Sequence, residues 1–277
     1  MHAVLAGRPL VALTGAGLST DSGIPDYRGP GSPRATPMTY QQFRSSAHAR
    51  RRYWARSHLG WTRVCRAAPN AGHRALVGLE RAGVLRGLIT QNVDGLHRGA
   101  GQRRVVDLHG RLSDVICLDC RRVSGRAALA RRLAELNPDF EHADADAVTS
   151  APDGDAALES VQGFVVADCT SCGGVLKPDV VFFGENVPAE RVGLCHAMVE
   201  SLGVESGALL VAGSSLTVQS GLRFVRRAAQ RGIPVVIVNR GTTRADELAT
   251  AKVDGGCSEV LATLVGGAQR CSVAEDR

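Results

Sequence analysis

The chain of 277 residues is poor in lysine: only Lys177 and Lys252 among its 33 basic residues are not arginine. Abundant Ala and Gly accompany the arginine, a pattern that fits a GC-rich coding genome better than a surface selected for nucleic acid. The formal net charge is a mild +6, which helps to attract an anionic ligand. No apolar run approaches the ~18–20 residues of a membrane span. No basic-then-apolar leader opens Met1-His2-Ala3-Val4-Leu5, and no Arg- and Ser-rich transit stretch precedes the first expected strand. Internal repeats are missing as well. A cytoplasmic protein is therefore expected, with no membrane partner. The 44% hydrophobic and 22% charged fractions are ordinary for a globular chain, and the length allows one large domain or two modest ones. Eight cysteines are present, four of them in two C-x-x-C pairs, which reads as metal binding plus reduced thiols.

Several short aliphatic runs end in small or polar loops. Pro9 to Leu13 leads into Thr14-Gly15-Ala16-Gly17-Leu18-Ser19, and Leu88-Ile89 into Thr90-Gln91-Asn92-Val93-Asp94-Gly95. Ala208 to Ala212 leads into Gly213-Ser214-Ser215, and Pro234 to Val238 into Asn239-Arg240-Gly241. Short, non-alternating apolar runs are the mark of parallel strands covered on both faces. Gly221 to Arg231, between the last two runs, predicts a helix with a stripe at Leu222, Val225 and Ala229. The expected fold is α/β: a Rossmann-like parallel sheet with helices on both faces, plus an inserted small zinc-binding and helical lobe. Residues 1–29, 76–113 and 178–265 form the sheet domain in this reading. Residues 30–75 are a helical insertion, 114–177 a zinc-binding insertion and 266–277 a tail. Between Asn137 and Ser160 lie seven carboxylates and no Lys or Arg, and Pro138, Pro152 and Gly154 mark that stretch as loop.

Ligands of open α/β sheets sit at the carboxyl ends of the strands. Gly15 and Gly17 are placed to let backbone N–H groups approach a pyrophosphate, with a helix expected from Ser19 or Thr20 to offer its positive end. An ordinary turn is the plain alternative. The third Gly of the dinucleotide fingerprint is replaced by Thr20, and no acidic residue closes a second strand ~20 positions on, which disfavours a dehydrogenase site. Cys117-x-x-Cys120 and Cys169-x-x-Cys172 are two thiolate knuckles suited to a closed tetrahedral Zn²⁺ with no open position for water. His109 follows the run Val106-Asp107-Leu108 and competes with His97 for the role of general base, a structural histidine being the alternative for either. Asn92 and Asp94 sit at a strand end, where turn hydrogen bonding is their simpler role. Lys177 to Glu185 reads as an apolar strand with turn residues at its ends, either core or a sheet edge that pairs with a peptide. Tyr53 and Arg56 share a helix face and together could hold a carboxylate.

In this order, Gly15-Ala16-Gly17-Leu18-Ser19, Gly23-Ile24-Pro25-Asp26-Tyr27-Arg28, Thr90 to His97, Leu108-His109-Gly110, both Cys pairs, Lys177 to Glu185 and Gly213-Ser214-Ser215 resemble the sirtuin family. The likeness runs from about residue 9 to about residue 263. Arg52 to Arg56, Leu136-Asn137-Pro138, Ala151 to Asp155 and Gly241 to Arg244 look like its class II branch. The resemblance implies an NAD-dependent protein-lysine deacylase, bacterial and cytoplasmic, acting on acyl-lysine proteins or peptides, with NAD as co-substrate and one structural Zn²⁺. Cofactor contacts carry over to Gly15, Ala16, Gly17, Ser19, Thr20, Asp21, Gly23, Ile24, Pro25, Asp26, Tyr27 and Arg28, which would wrap the pyrophosphate and ribose. Gln91, Asn92, Val93 and Asp94 would line the nicotinamide pocket. Gly213, Ser214, Ser215, Asn239, Arg240, Gly241 and Cys257 would hold the adenosine half. Val181, Phe182, Phe183, Gly184 and Glu185 would pair with the substrate backbone, and Tyr53 with Arg56 resembles a pair that accepts succinyl-like chains. Cys117, Cys120, Cys169 and Cys172 would hold the metal.

The chemistry so implied starts with attack of the amide oxygen on C1′ of the nicotinamide ribose, which expels nicotinamide. His109 then accepts a proton from a ribose hydroxyl, with Asn92 and Asp94 positioning the ribose and the nicotinamide amide. Water finally releases lysine and O-acyl-ADP-ribose. Protein ADP-ribosyl transfer and lipoyl removal are the alternatives within the family. A zinc-knuckle nucleic-acid or protein binding module is the alternative outside it, disfavoured because the acidic loop beside the knuckle would repel phosphate.

Overall fold

The structure, a computed structural model, describes residues 1–27, 37–140 and 161–272. Arg28 and the acidic stretch 141–160 lie outside the described residues. In chain order the elements are α1 (His2–Leu5), β1 (Leu10–Thr14), α2 (Tyr40–Ser45), α3 (Ala47–Arg66), α4 (Ala71–Arg81), β2 (Leu85–Thr90), α5 (Leu96–Gly99), β3 (Val105–Asp107), β4 (Gly110–Cys117), β5 (Val123–Gly125), α6 (Arg126–Leu136), β6 (Leu176–Val180), α7 (Ala189–Val204), β7 (Ala208–Ala212), α8 (Gln219–Gln230), β8 (Val235–Val238), β9 (Ala251–Val253) and α9 (Cys257–Ser272). No helix among the described residues is long and apolar enough to cross a membrane.

Six strands form a parallel sheet in the order β3-β2-β1-β7-β8-β9. β1 sits between β2 and β7, so the strand order reverses at its two sides and its carboxyl end is the topological switch point. Every residue of β1, β7 and β8 is buried, as expected for strands covered on both faces. Alternate side chains go to opposite cores. Leu10, Ala12, Leu88 and Leu210 meet Leu76, Leu79 and Leu261 of α4 and α9 on one face. Val11, Leu13, Ile89 and Val211 meet Val199, Leu222 and Phe224 of α7 and α8 on the other. A capping box starts α4, in which Asn70 Oδ1 accepts the His73 N–H and His73 Nδ1 accepts the Asn70 N–H.

A second, antiparallel sheet in the order β5-β4-β6 packs with α2, α3 and α6 around Phe43, Tyr53, Trp54, Leu112, Leu129 and Phe182. Trp54 Nε1 donates to Leu176 O at 3.1 Å, and the buried Arg126 guanidinium lies over both Trp54 and Trp61, at 5.4 and 4.9 Å from the ring centroids.

Five expectations need correction. No α-helix follows β1: Ala16–Leu18 and Thr20–Ser22 are single 3₁₀ turns, with Gly15 before the first, Gly17 inside it, and Gly23, in the left-handed region at φ 80°, ending the second. The strand expected within Lys177–Glu185 stops at Val180, where Val181 N–H turns to His109 O. The stripe of α8 is centred on Leu222, Phe224, Val225 and Ala228 rather than Ala229, which is half-buried. The boundary drawn at 75/76 falls inside α4, whose Ala75 and Leu76 pack on the large sheet. The boundaries at 113/114 and 177/178 fall inside β4 and β6, which pair from Gly110↔Val180, through a register shift before Val115, to Val115↔Pro178 and Cys117↔Leu176.

Candidate active site

A cleft of about 770 Å³ runs along the carboxyl ends of β1, β2, β7 and β8 and is closed on its far side by residues 180–187. Its floor is the switch point. Gly15 N–H donates to Ala212 O at 3.1 Å and Gly17 N–H to Gly213 O at 2.9 Å, so the loop after β1 lies directly on the loop after β7. A Cβ on Gly15 would stand 2.7 Å from Gly213 O, and one on Gly213, at φ 64°, would collide with the backbone of Gly17 and Leu18. The two glycines of the first loop are thus explained by backbone-on-backbone packing. Their own N–H groups are bonded within the protein.

The loop after β2 is stitched to that floor. Asn92 Nδ2 donates to Gly15 O and to Ser19 Oγ, both at 3.1 Å, and Ser19 Oγ donates in turn to Asp94 Oδ2 at 2.7 Å. Asp94 Oδ1 accepts the Leu96 N–H at 2.8 Å. Burial pushes the Asp94 pKa up, opposed by the Leu96 and Ser19 hydrogen bonds. Gln91 Nε2 donates to Ser214 Oγ at 2.8 Å, tying β2 to the β7 loop.

His109 and His97 separate cleanly. His97 is buried beneath the floor, 4.8 Å from the His73 ring, with Nε2 on Thr14 Oγ1 at 2.9 Å; it does not line the cleft. His109 does. Its Nδ1 is 2.9 Å from Gln91 O and its Nε2 is 2.8 Å from Ser220 Oγ. A carbonyl only accepts, so Nδ1 carries the proton and Nε2 of the neutral ring presents a lone pair. Burial lowers the His109 pKa below the usual histidine value; the Gln91 carbonyl opposes this and the nearby Arg191 guanidinium adds to it. The ring is therefore a neutral acceptor with its orientation fixed, which is what proton abstraction requires.

The far wall is held by an ion pair. Lys177 is buried at 3% exposure, and its Nζ lies 3.0 Å from Glu185 Oε2 and 4.7 Å from the Phe182 ring centroid. Glu185 also accepts the Phe182 N–H at 2.9 Å. Phe183 O accepts the Tyr40 N–H, within a parallel bridge from Phe183 to Thr39, so Val181 to Glu185 is not a bare edge. Tyr53 lines the cleft beside Met38 and Phe182, whereas Arg56, half-buried, does not.

The four paired cysteines converge in the lobe, with all Sγ atoms within 4.8 Å of one another. Cys117 and Cys172 are 3.6 Å apart and Cys120 and Cys169 3.8 Å. Four sulfurs at ~2.3 Å from a tetrahedral Zn²⁺ stand ~3.8 Å apart, so the set fits that ion and leaves it closed.

Of the residues expected to bind cofactor, Gly15, Ala16, Gly17, Ser19, Ile24, Asp26, Tyr27, Gln91 to Asp94, Gly213, Ser214, Ser215, Asn239, Arg240 and Gly241 line the cleft. Thr20, Asp21, Gly23 and Pro25 do not, and Arg28 lies outside the described residues. Cys257 is buried with its thiol toward Val238 O at 3.7 Å, and it does not line the cleft. Ser220 and Met38 were not anticipated. Ser220 carries no motif of its own, and only its position one residue inside α8 brings it onto His109.

Comparison with known proteins gives a consistent answer. A family model described as the Sir2 family matches residues 15–220. The chain is 58% identical over 264 residues to NAD-dependent protein deacetylase 1 of Mycobacterium avium (strain 104), covering 95% of this chain and 92% of that protein. It is 58% identical over 266 residues to NAD-dependent protein deacetylase 1 of Streptomyces coelicolor, covering 95% and 86%. A solved Sir2 complex with a p53 peptide and NAD+ superposes with a TM-score of 0.74 at 29% identity, covering 96% of this chain and 95% of that one. A mutant Sir2 homologue in complex with ADP-ribose gives 0.75 at 30% identity, covering 98% and 96%.

Proposed function

The chain belongs to the Sir2 family and is an NAD-dependent protein deacetylase, and from that premise we propose that His109 is its base, with Asn92 and Asp94 ordering the cosubstrate. The observation that carries this reading is the neutral His109 ring, held at Nδ1 by Gln91 O and turned with its Nε2 lone pair along the cleft. The cleft suits the cosubstrate: it is long, its floor is backbone of small residues at the switch point, and its polar groups cluster at the strand ends. When bound, the cosubstrate supplies an electrophilic ribose carbon with nicotinamide as leaving group.

The protein's own residues do the rest. His109 takes a proton at Nε2, and the Gln91 carbonyl steadies the imidazolium that forms. The amide donors of Asn92 are taken by Gly15 O and Ser19 Oγ, which leaves its Oδ1 to position ligand groups. Asp94, fixed by Leu96 N–H and Ser19 O–H, is set to accept from a carboxamide. Cys117, Cys120, Cys169 and Cys172 hold one structural Zn²⁺ that pins the lobe carrying β4 and β6, and no chemical step needs it.

The substrate end of the cleft, at Met38, Tyr53 and Phe182, is apolar, which favours neutral acyl chains; Arg56 is no longer part of this reading. The peptide backbone is assigned to the remaining groups of Val181 to Glu185. The sheet domain, with the helices and zinc lobe inserted, is taken as the nucleotide-binding unit, and a reducing cytoplasmic setting suits the thiolate site. Nicotinamide release followed by mass spectrometry over acetyl-, succinyl- and lipoyl-lysine peptides tests the assignment. His109→Ala is expected to remove turnover on all of them; near-normal turnover in that variant overturns the choice of base.

A further inference from the structure

The base has a second partner that no ligand contact explains. Ser220 lies in the first turn of α8, and its hydroxyl is 2.8 Å from His109 Nε2, the nitrogen that must take the proton. With Nδ1 committed to Gln91 O, the serine O–H donates to Nε2 and occupies the working lone pair. The contact is built in. Gly221, next to Ser220, packs so tightly on Gln91 that a Cβ there would stand 2.5 Å from Gln91 Oε1. The residue that holds one ring nitrogen is thereby packed against the turn that holds the other, and Gln91 is anchored again on Ser214. Imidazole, carbonyl and hydroxyl form one clamp across the ends of β2, β3 and α8.

We propose that Ser220 is a positioning residue for the reaction: its hydroxyl keeps Nε2 of His109 engaged in the free enzyme and gives that place to the ribose hydroxyl when NAD+ binds. The proposal rests on His109 being the base. A buried ring nitrogen without a partner is unfavourable, and exchanging one O–H donor for another avoids that state throughout the cycle. The exchange needs only a rotation of the serine side chain, because the clamp backbone stays where Gly221 and Gln91 fix it. No proton is transferred to or from Ser220.

The groups around the ring are few. Arg191 of α7 faces it and is itself paired with Asp179 of β6 at 3.3 Å. Arg223 of α8 and Asp94 after β2 line the same cleft. In the free enzyme the serine hydroxyl can also turn to accept from the protonated ring, a charge-assisted bond stronger than the neutral one. Removing the hydroxyl therefore lowers the pKa of the free enzyme's base. In the complex with NAD+ the serine no longer touches Nε2, and its removal changes nothing there.

The test is the pH dependence of deacetylation by Ser220→Ala, Ser220→Thr and the unaltered enzyme, with an acetyl-lysine peptide saturating and NAD+ varied. The acid limb of kcat/KM for NAD+ reports the free form and that of kcat the complex. Ser220→Ala is expected to move the kcat/KM limb to lower pH by about half to one unit and to leave the kcat limb in place, while Ser220→Thr returns both to the original values. Ala adopts helical backbone without strain and is smaller than Ser, so the variant is expected to fold; titration of the His109 ring by NMR in the ligand-free protein reads the same shift without turnover. Unmoved limbs in Ser220→Ala, or limbs that move together, overturn the proposal. So does a large loss of kcat at every pH, which would make the serine a proton carrier. If His109→Ala keeps its activity, the fault lies with the assignment of the base rather than with Ser220.

Discussion

Lowering the pH from 7.5 to 5 should weaken the fold through a histidine that takes no part in the chemistry. His73, at the start of α4, is fully buried, and desolvation lowers its pKa from 6.5 to about 4, with Arg74 adding to the effect. Below pH 6.5 the unfolded chain binds a proton there and the folded chain does not. The stability tied to this group is thus complete above 6.5, falls as pH drops, and is fully lost once pH passes about 4. Over the whole window this amounts to about 3 kcal/mol, and between pH 7.5 and 5 to about 2 kcal/mol, a sizeable part of a typical domain stability of ~5–15 kcal/mol. His97, its ring tilted against that of His73, is shifted in the same direction for the same reason. The variant that isolates His73 is His73→Gln, because glutamine at the third helical position can still accept the Asn70 N–H and keep the capping box. Urea unfolding at pH 7.5 and pH 5 on both proteins, read as free energies from midpoints and slopes, gives the comparison. The unaltered chain should lose about 2 kcal/mol more than His73→Gln between the two values. Parallel losses would refute the reasoning, since they would mean that the buried ring accepts a proton as readily folded as unfolded.

Three further outcomes follow from contacts already described. Gly213→Ala places a Cβ in the left-handed region and against the backbone of Gly17 and Leu18, so it should cost about 2–4 kcal/mol in thermal or urea unfolding and raise KM for NAD+ at least tenfold. Lys177→Met removes the cation that faces Glu185 inside the far wall; KM for peptide should rise several-fold with KM for NAD+ nearly unchanged, as measured by varying each in turn. Cys120→Ser, or a strong chelator, should drop the zinc content from one per chain to near zero, as read by metal analysis, and loosen the lobe before the large sheet in hydrogen exchange.

The large sheet was legible because its strands are short aliphatic runs buried on both faces, and that pattern survives in one dimension. β1, β2, β7 and β8 fall where the runs lie, whereas β9, with only Ala251-Lys252-Val253 half-buried at the sheet edge, has no such run to announce it. The zinc site was legible from spacing alone, since paired knuckles need no tertiary information. The glycines of the switch point are legible as small residues at a strand end, but not their packing: Gly15 and Gly17 lie on Gly213, some two hundred positions away, and a long-range backbone contact leaves no local trace. Arg56 and Ser220 fail in opposite ways. Arg56 belongs to a pattern yet does not line the cleft, and Ser220 belongs to no pattern yet meets the base.

What those misses share is the seam between the two sheets. β3 ends at Asp107 and β4 begins at Gly110, so Leu108 and His109 are the whole link between these two strands, one in the parallel sheet and the other in the lobe. Gly110, at φ 79°, meets Asp179 O so closely that a side chain there would drive β4 from β6. His109 O accepts the Val181 N–H at 2.8 Å, and this bond starts the wall that ends at Glu185. One residue therefore presents its ring to the nucleotide side through Gln91 and Ser220, and its carbonyl to the substrate side through Val181. The base cannot move relative to either partner without breaking a bond to the other, which is the rigidity that proton transfer between two bound ligands demands.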